Sequence, residues 1–72
     1  MSELTNRERD ALNAIVTLYD RLKYAPTIRE IALEMGISSM SSICRYIVQL
    51  EDKGYIERKQ STARAMRILR RA

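Results

Sequence analysis

Apolar residues recur with a helical period near the start of the chain: Leu12, Ile15, Val16, Tyr19 and Leu22 fall along one side of a cylinder. Just before them stands Thr5-Asn6-Arg7-Glu8. This is a capping box, in which the threonine hydroxyl accepts the third backbone N–H and the glutamate reaches back to the cap. The pattern predicts a helix over 6–22. Ala25-Pro26 bars its continuation, because proline pushes the residue before it toward extended geometry. Thr27-Ile28-Arg29-Glu30 repeats the box, and Ile28, Ile31, Ala32 and Met35 supply the buried face of a short second helix. Gly36 ends it, as a glycine just past a helix commonly does by taking positive φ. Then comes a row of small hydroxyls: Ser38, Ser39, Ser41 and Ser42, four serines in five positions. Ser39 is the best N-cap for a third helix whose core stripe is Ile43, Ile47 and Leu50. Lys53 suits the C-terminal end of that helix and Gly54 the position beyond it, with Tyr55 closing back on the last turn.

From Tyr55 the period changes to two. Ile56 is apolar and Glu57 polar; Met66 and Ile68 flank Arg67; Gln60-Ser61-Thr62-Ala63 between them is polar or small. Two antiparallel strands, about 55–59 and 65–69, are expected, joined by a loop that lacks an Asn-Gly or Gly-Gly turn. Two short helices joined by a tight glycine turn make a helix-turn-helix. With a longer helix in front and a hairpin behind, the expected fold is mainly α with a small β-hairpin: a winged helix-turn-helix of three helices plus a two-stranded antiparallel wing, residues 1–72 forming a single domain.

Composition agrees. The chain has 72 residues, 46% of them hydrophobic, with no low-complexity tract, so a small globular domain is expected rather than disorder. A chain this short buries only about 60% of the surface its unfolded form exposes. No apolar run approaches the ~20 residues a membrane helix needs, and Met1-Ser2-Glu3-Leu4 does not begin like a signal peptide. A soluble, cytoplasmic protein is the expectation, and a single Cys44, unable to form an internal disulfide, fits a reducing compartment. Charge is unevenly spread. Lys53, Arg58, Lys59, Arg64, Arg67, Arg70 and Arg71 face Glu57 alone within residues 53–72, a balance of +6 that leaves −2 on residues 1–52. A basic end on a near-neutral body is the electrostatic footprint of a nucleic-acid binder; the bland alternative is a solvated charged face.

The chemistry that remains is recognition rather than catalysis. There is no histidine, no phosphate-cradling glycine loop and no spaced set of metal ligands, so no enzyme, metal, cofactor, small-molecule ligand or membrane partner is expected. B-DNA's major groove is ~12 Å wide and admits one helix. The N-terminal residues of a helix-turn-helix's second helix meet the base edges. Here those are Ser39, Ser41, Ser42, Cys44 and Arg45. Small hydroxyls let a helix sit deep, the free N–H groups of a helix start favour phosphate, and arginine suits a bidentate contact to guanine. Against this, serines before a helix are usually only caps and a lone outward arginine is usually solvated. Cys44, without a second cysteine, fits packing or contact with a thymine methyl better than redox sensing. Tyr19, Tyr24, Tyr46 and Tyr55 are too scattered to form a single-strand stacking platform and fit core and rim packing.

The segments "LTNRERDALNAIVTLYD", "APTIREIALEMGI", "LEDKGYIE" and "RAMRIL" resemble the N-terminal DNA-binding domain of the bacterial LexA repressor family across nearly the whole chain. The most telling pieces are Pro26 to Ala32 followed by Gly36, and Lys53 to Glu57. The resemblance implies a winged helix that binds operator DNA with its third helix in the major groove and its wing on the neighbouring backbone or minor groove. It maps the family's base-reading positions to Ser39, Ser41, Ser42, Cys44 and Arg45. Only Ser39 matches the family's usual residue; Ser41 replaces an asparagine, and Cys44 and Arg45 replace two glutamates. In the wing Arg64 matches, while Thr62 and Ala65 stand where glycines are usual. The scaffold is shared and the reading surface is not, so a different operator is expected. The self-cleaving domain of such repressors is not expected to accompany these residues, whether the chain is a stand-alone regulator or a piece of a longer protein. Two functions stay open: a sequence-specific double-stranded DNA-binding domain of a LexA-like transcriptional repressor, with a homodimer on DNA as one option, and a winged-helix protein-interaction module such as an antirepressor or replication adaptor.

Overall fold

In the computed structural model, residues 4–58 and 66–70 are described. They form α1 (Asn6–Leu22), α2 (Ile28–Met35), α3 (Met40–Asp52), β1 (Ile56–Arg58) and β2 (Met66–Ile68). Three helices followed by a two-stranded antiparallel sheet are the winged helix the periodicity predicts. The loop expected at 60–63, Arg64, and the departures Thr62 and Ala65 lie outside the described residues.

Both threonine capping boxes are present. Thr5 Oγ1 accepts from Glu8 N–H at 3.2 Å while the Glu8 carboxylate accepts from Thr5 N–H at 3.1 Å. At α2 the corresponding distances are 3.2 Å for Glu30 N–H to Thr27 Oγ1 and 2.7 Å for Thr27 N–H to Glu30. α1 ends where the sequence places it, although Pro26 is not what stops it. It stops at Leu22, before Pro26 acts, because Lys23 turns left-handed at φ 66° and its N–H bonds the Tyr19 carbonyl at 2.9 Å. Helices α2 and α3 end alike. Ile37 N–H reaches back to Ala32 O and Gly36 N–H to Leu33 O; Tyr55 N–H reaches Leu50 O and Gly54 N–H reaches Glu51 O. Each is the paired bond of a Schellman turn, with a glycine at φ +70° or +81° taking the left-handed position.

Each helix contributes to one core. Leu12 and Ile15 of α1, Ile31 of α2, Ile43, Ile47 and Leu50 of α3, and Ile56 of β1 are fully enclosed. The buried stripe of α1 is shifted from the expected one: Ala11, Ala14 and Leu18 are buried, while Val16, Tyr19 and Leu22 pack only at its edge. Ala11 is fully enclosed and Ala14 nearly so, so the buried face of α1 includes small residues that a pattern of bulky ones does not show. Ile28 and Met35 of α2 are likewise edge residues around Ile31 and Ala32. Of the tyrosines, Tyr55 is buried, Tyr19 and Tyr46 pack against the core, and Tyr24 is exposed.

β1 starts one residue later than expected, because Tyr55 belongs to the turn that ends α3. Ile56 pairs with Ile68, Glu57 with Arg67, and Arg58 with Met66. Ile56 and Met66 point inward and are buried; Glu57 and Arg67 are exposed and opposite in charge across the ladder. Beyond β2 the chain is held to the turn: the Tyr55 carbonyl accepts from Leu69 N–H at 2.8 Å and Arg70 N–H at 3.1 Å, and the Arg70 guanidinium lies 4.7 Å from the centre of the Tyr55 ring. Among the described residues no helix is long and apolar enough to cross a membrane.

Candidate nucleic-acid interface

One side of α3 is used up by folding. Ile43, Ile47 and Leu50 are completely buried and Tyr46 packs beside them. At about 100° per residue, the opposite line runs through Ser41, Arg45 and Val48. All three are exposed. Ser42 and Cys44 precede and follow Ile43, so they flank the core stripe on opposite sides, and both are half-buried. Ser39 is exposed at the cap. The expected site residues therefore do not form one uniform face. Ser41 and Arg45 make its centre, Ser42 and Cys44 its two margins, and Ser39 its end. Arg64 lies outside the described residues.

The start of α3 differs chemically from the other two helix starts. Ser39 accepts from Ser42 N–H at 3.4 Å, and the Ser42 hydroxyl donates to the Ser39 hydroxyl at 3.3 Å. The first helical bond, Ile43 N–H to Ser39 O, is 3.5 Å long. The equivalent bonds are 2.9 Å in α1 and 3.0 Å in α2. Where α1 and α2 carry Glu8 and Glu30 in the first turn, α3 carries no acidic residue there. The positive end of the α3 dipole thus keeps its potential for an outside anion. Arg45 adds a full charge one turn further on, and no ion-pair partner for it is found among the described residues.

The far end of α3 is fastened. Lys53 extends its ammonium to Glu8 Oε1 at 2.6 Å, across 45 positions of sequence. The same oxygen takes the Thr5 N–H, so one carboxylate both caps α1 and ties it to the end of α3. The Lys53 hydrogen bond, followed by that of the Thr5 backbone, holds the Glu8 carboxyl below its ordinary value despite burial that pushes the other way. The sequence shows each of these residues only in its local role, as a cap partner and as a helix-end cation; their meeting depends on the crossing of α1 and α3.

The basic tail is also partly consumed within the fold. Lys53 is committed to Glu8, Arg58 Nε stands 3.7 Å from Glu51, Arg67 faces Glu57 across the hairpin, and Arg70 covers Tyr55. Val48, which the sequence reading did not single out, is exposed on the same line as Ser41 and Arg45, and its place seven residues after the one and three after the other, off the apolar stripe, is the signal for it. An open groove of about 290 Å³ between α1 and α2, lined by Arg7, Asp10, Asn13, Ala14, Thr17, Glu34 and Met35, contains none of the expected site residues.

Comparison with known proteins places the chain in a family. The family model of the LexA DNA binding domain matches residues 1–65. LexA repressors from Bacillus mycoides (strain KBAB4), Bacillus thuringiensis (strain Al Hakam) and Bacillus anthracis are each 38% identical over 69 residues, 96% of this chain. The chain spans about a third of the length of these curated relatives, 34% in each case.

Proposed function

The chain belongs to the LexA DNA-binding domain family, and from that premise we propose that it binds double-stranded DNA sequence-specifically as the DNA-reading part of a transcriptional repressor. In this role α3 enters the major groove with its serine end foremost. Ser41 and Arg45 read base edges, Ser39 and Ser42 with the adjoining N–H groups sit near phosphate, and Cys44 lines one margin. Arg64 of the wing contacts the neighbouring backbone. A second copy on a symmetric site is the natural way for one short helix to gain affinity, since each copy reads only a half-site. Such a repressor works where bacterial DNA is, in the cytoplasm.

The observation that carries this reading is the first turn of α3. It is exposed, free of carboxylates and followed by an arginine with no partner in the described fold, on a helix whose other side is wholly buried. A protein-interaction surface has no need of a carboxylate-free helix start. The experiment is duplex binding at several salt concentrations. With four to six basic side chains on phosphates, the log–log salt slope is about −4 to −5, from −0.9 per contact. A slope near zero refutes DNA binding and leaves the protein-interaction module.

A further inference from the structure

Val48 is 42% exposed although it stands mid-helix, and it sits on the same line as Ser41 and Arg45. Among the described residues Leu33 on α2 and Leu69 beyond β2 are also exposed but belong to different elements, while Met40, 41% exposed, opens α3 itself two turns before Val48. Valine is a poorer helix former than alanine or lysine, so an open helix position gives no local reason to choose it. In a helix it is also nearly locked in one rotamer, which presents two methyl groups in a fixed direction. Three residues separate it from Arg45, a rise of roughly 4.5 Å along the helix axis, similar to the ~3.4 Å between stacked bases. On a helix lying in the major groove, an arginine and a rigid isopropyl group at that spacing would meet neighbouring base-pair steps.

Resting on α3 lying in the groove as above, we propose that Val48 is a specificity-determining residue that packs on the C5-methyl group of a thymine next to the base read by Arg45. The major-groove edge of thymine is the one base edge carrying a methyl, and apolar side chains discriminate it by contact. Cys44, one turn earlier and half-buried, lies beside Val48 and continues the apolar strip toward the margin. The face thus joins a hydrogen-bonding element, Arg45 with Ser41, to an apolar one.

The test uses the full chain and the duplex it selects from a randomised pool. Each thymine of the selected site is replaced singly by deoxyuridine, which removes only the methyl group. Wild type is expected to lose about fourfold in affinity at one position under α3, the value of one buried methyl. Val48→Ala is expected to bind the thymine and uracil duplexes equally there, with unchanged thermal unfolding; Val48→Ser, which also lacks both methyls, repeats the comparison if the alanine variant folds poorly. Indifference of wild type to every substitution overturns the proposal. So does a uracil effect that Val48→Ala leaves undiminished, a selected site with no thymine, or a change in the number of chains per duplex on sedimentation, which assigns the face to a second copy. If Arg45→Ala still alters the selected sequence in those cases, the groove reading stands without Val48. If wild type selects no sequence, both fall.

Discussion

The two ends of α3 are built on opposite plans. At the C-terminal end a Schellman turn closes on Leu50 and Glu51, Gly54 takes φ +81°, and Lys53 reaches Glu8 at 2.6 Å. At the N-terminal end the cap bonds run from 3.3 to 3.5 Å, and serine stands at 42 where α1 and α2 place a glutamate in the same third position. The glutamate version is available to this chain, which uses it twice. Its absence from α3 leaves cap stability unrealised, and the position where it is missing is the one that would approach phosphate. The C-terminal end is tied down by the turn and by Lys53, and the N-terminal end is left without the carboxylate that would repel DNA. The general lesson is that a locally suboptimal cap becomes interpretable when the same chain shows the better cap elsewhere.

Breaking the fastened end should have the larger effect. Lys53→Met leaves the Glu8 carboxylate buried without its main partner. The cost should be about 2–3 kcal/mol, somewhat below the ~3–5 kcal/mol typical of a fully buried pair, because Lys53 keeps 19% side-chain exposure. Denaturant unfolding measures this directly. The pair also has a pH signature. A carboxyl held below its usual 4.5 contributes stability that is present above the unfolded value and lost as pH falls through the lower folded one. The stability difference between wild type and Glu8→Gln should therefore be constant at neutral pH and shrink below about pH 4.5. A difference that grows with acid would contradict the assignment.

Arg45→Ala tests the other end, and its effect should appear in binding alone. The preferred site should lose ~1–3 kcal/mol, with relaxed preference at one base pair. Stability should stay within about 0.5 kcal/mol, since the side chain is exposed and without a partner among the described residues. Site selection run beside thermal unfolding checks both. An equal loss in both measurements would show that the two ends are not functionally divided.

Local chemistry made much of this legible. Both threonine capping boxes, the two glycine turns and the Ser39 cap are short-range devices, readable within five residues. The alternation at Ile56-Glu57 and Met66-Arg67-Ile68 located the strands. What stayed hidden depends on how helices cross. Ala11 and Ala14 are buried although alanine alone does not mark a core position. Lys23 ends α1 in a left-handed conformation that nothing about lysine announces. The Lys53–Glu8 bond joins residues 45 positions apart. For the candidate site, the serine row and Arg45 were visible by their spacing, but the division into centre and margins requires knowing which residues flank Ile43. Counting the tail's cations did not show that Lys53 and Arg58 stand beside Glu8 and Glu51.

Ser42→Glu tests the central claim most directly, with Ser42→Gln as its uncharged companion. Either side chain completes the missing capping box with Ser39. The glutamate should also favour the helix dipole by roughly 0.3–1 kcal/mol and raise the melting temperature by a few degrees. Affinity for the selected duplex should fall about tenfold at low salt with glutamate, as a like charge brought near phosphate requires, and change little with glutamine. A variant that is more stable yet binds DNA worse is the predicted result. If Ser42→Glu gains stability and keeps its full affinity, the start of α3 does not meet phosphate, and its serines are caps and nothing more.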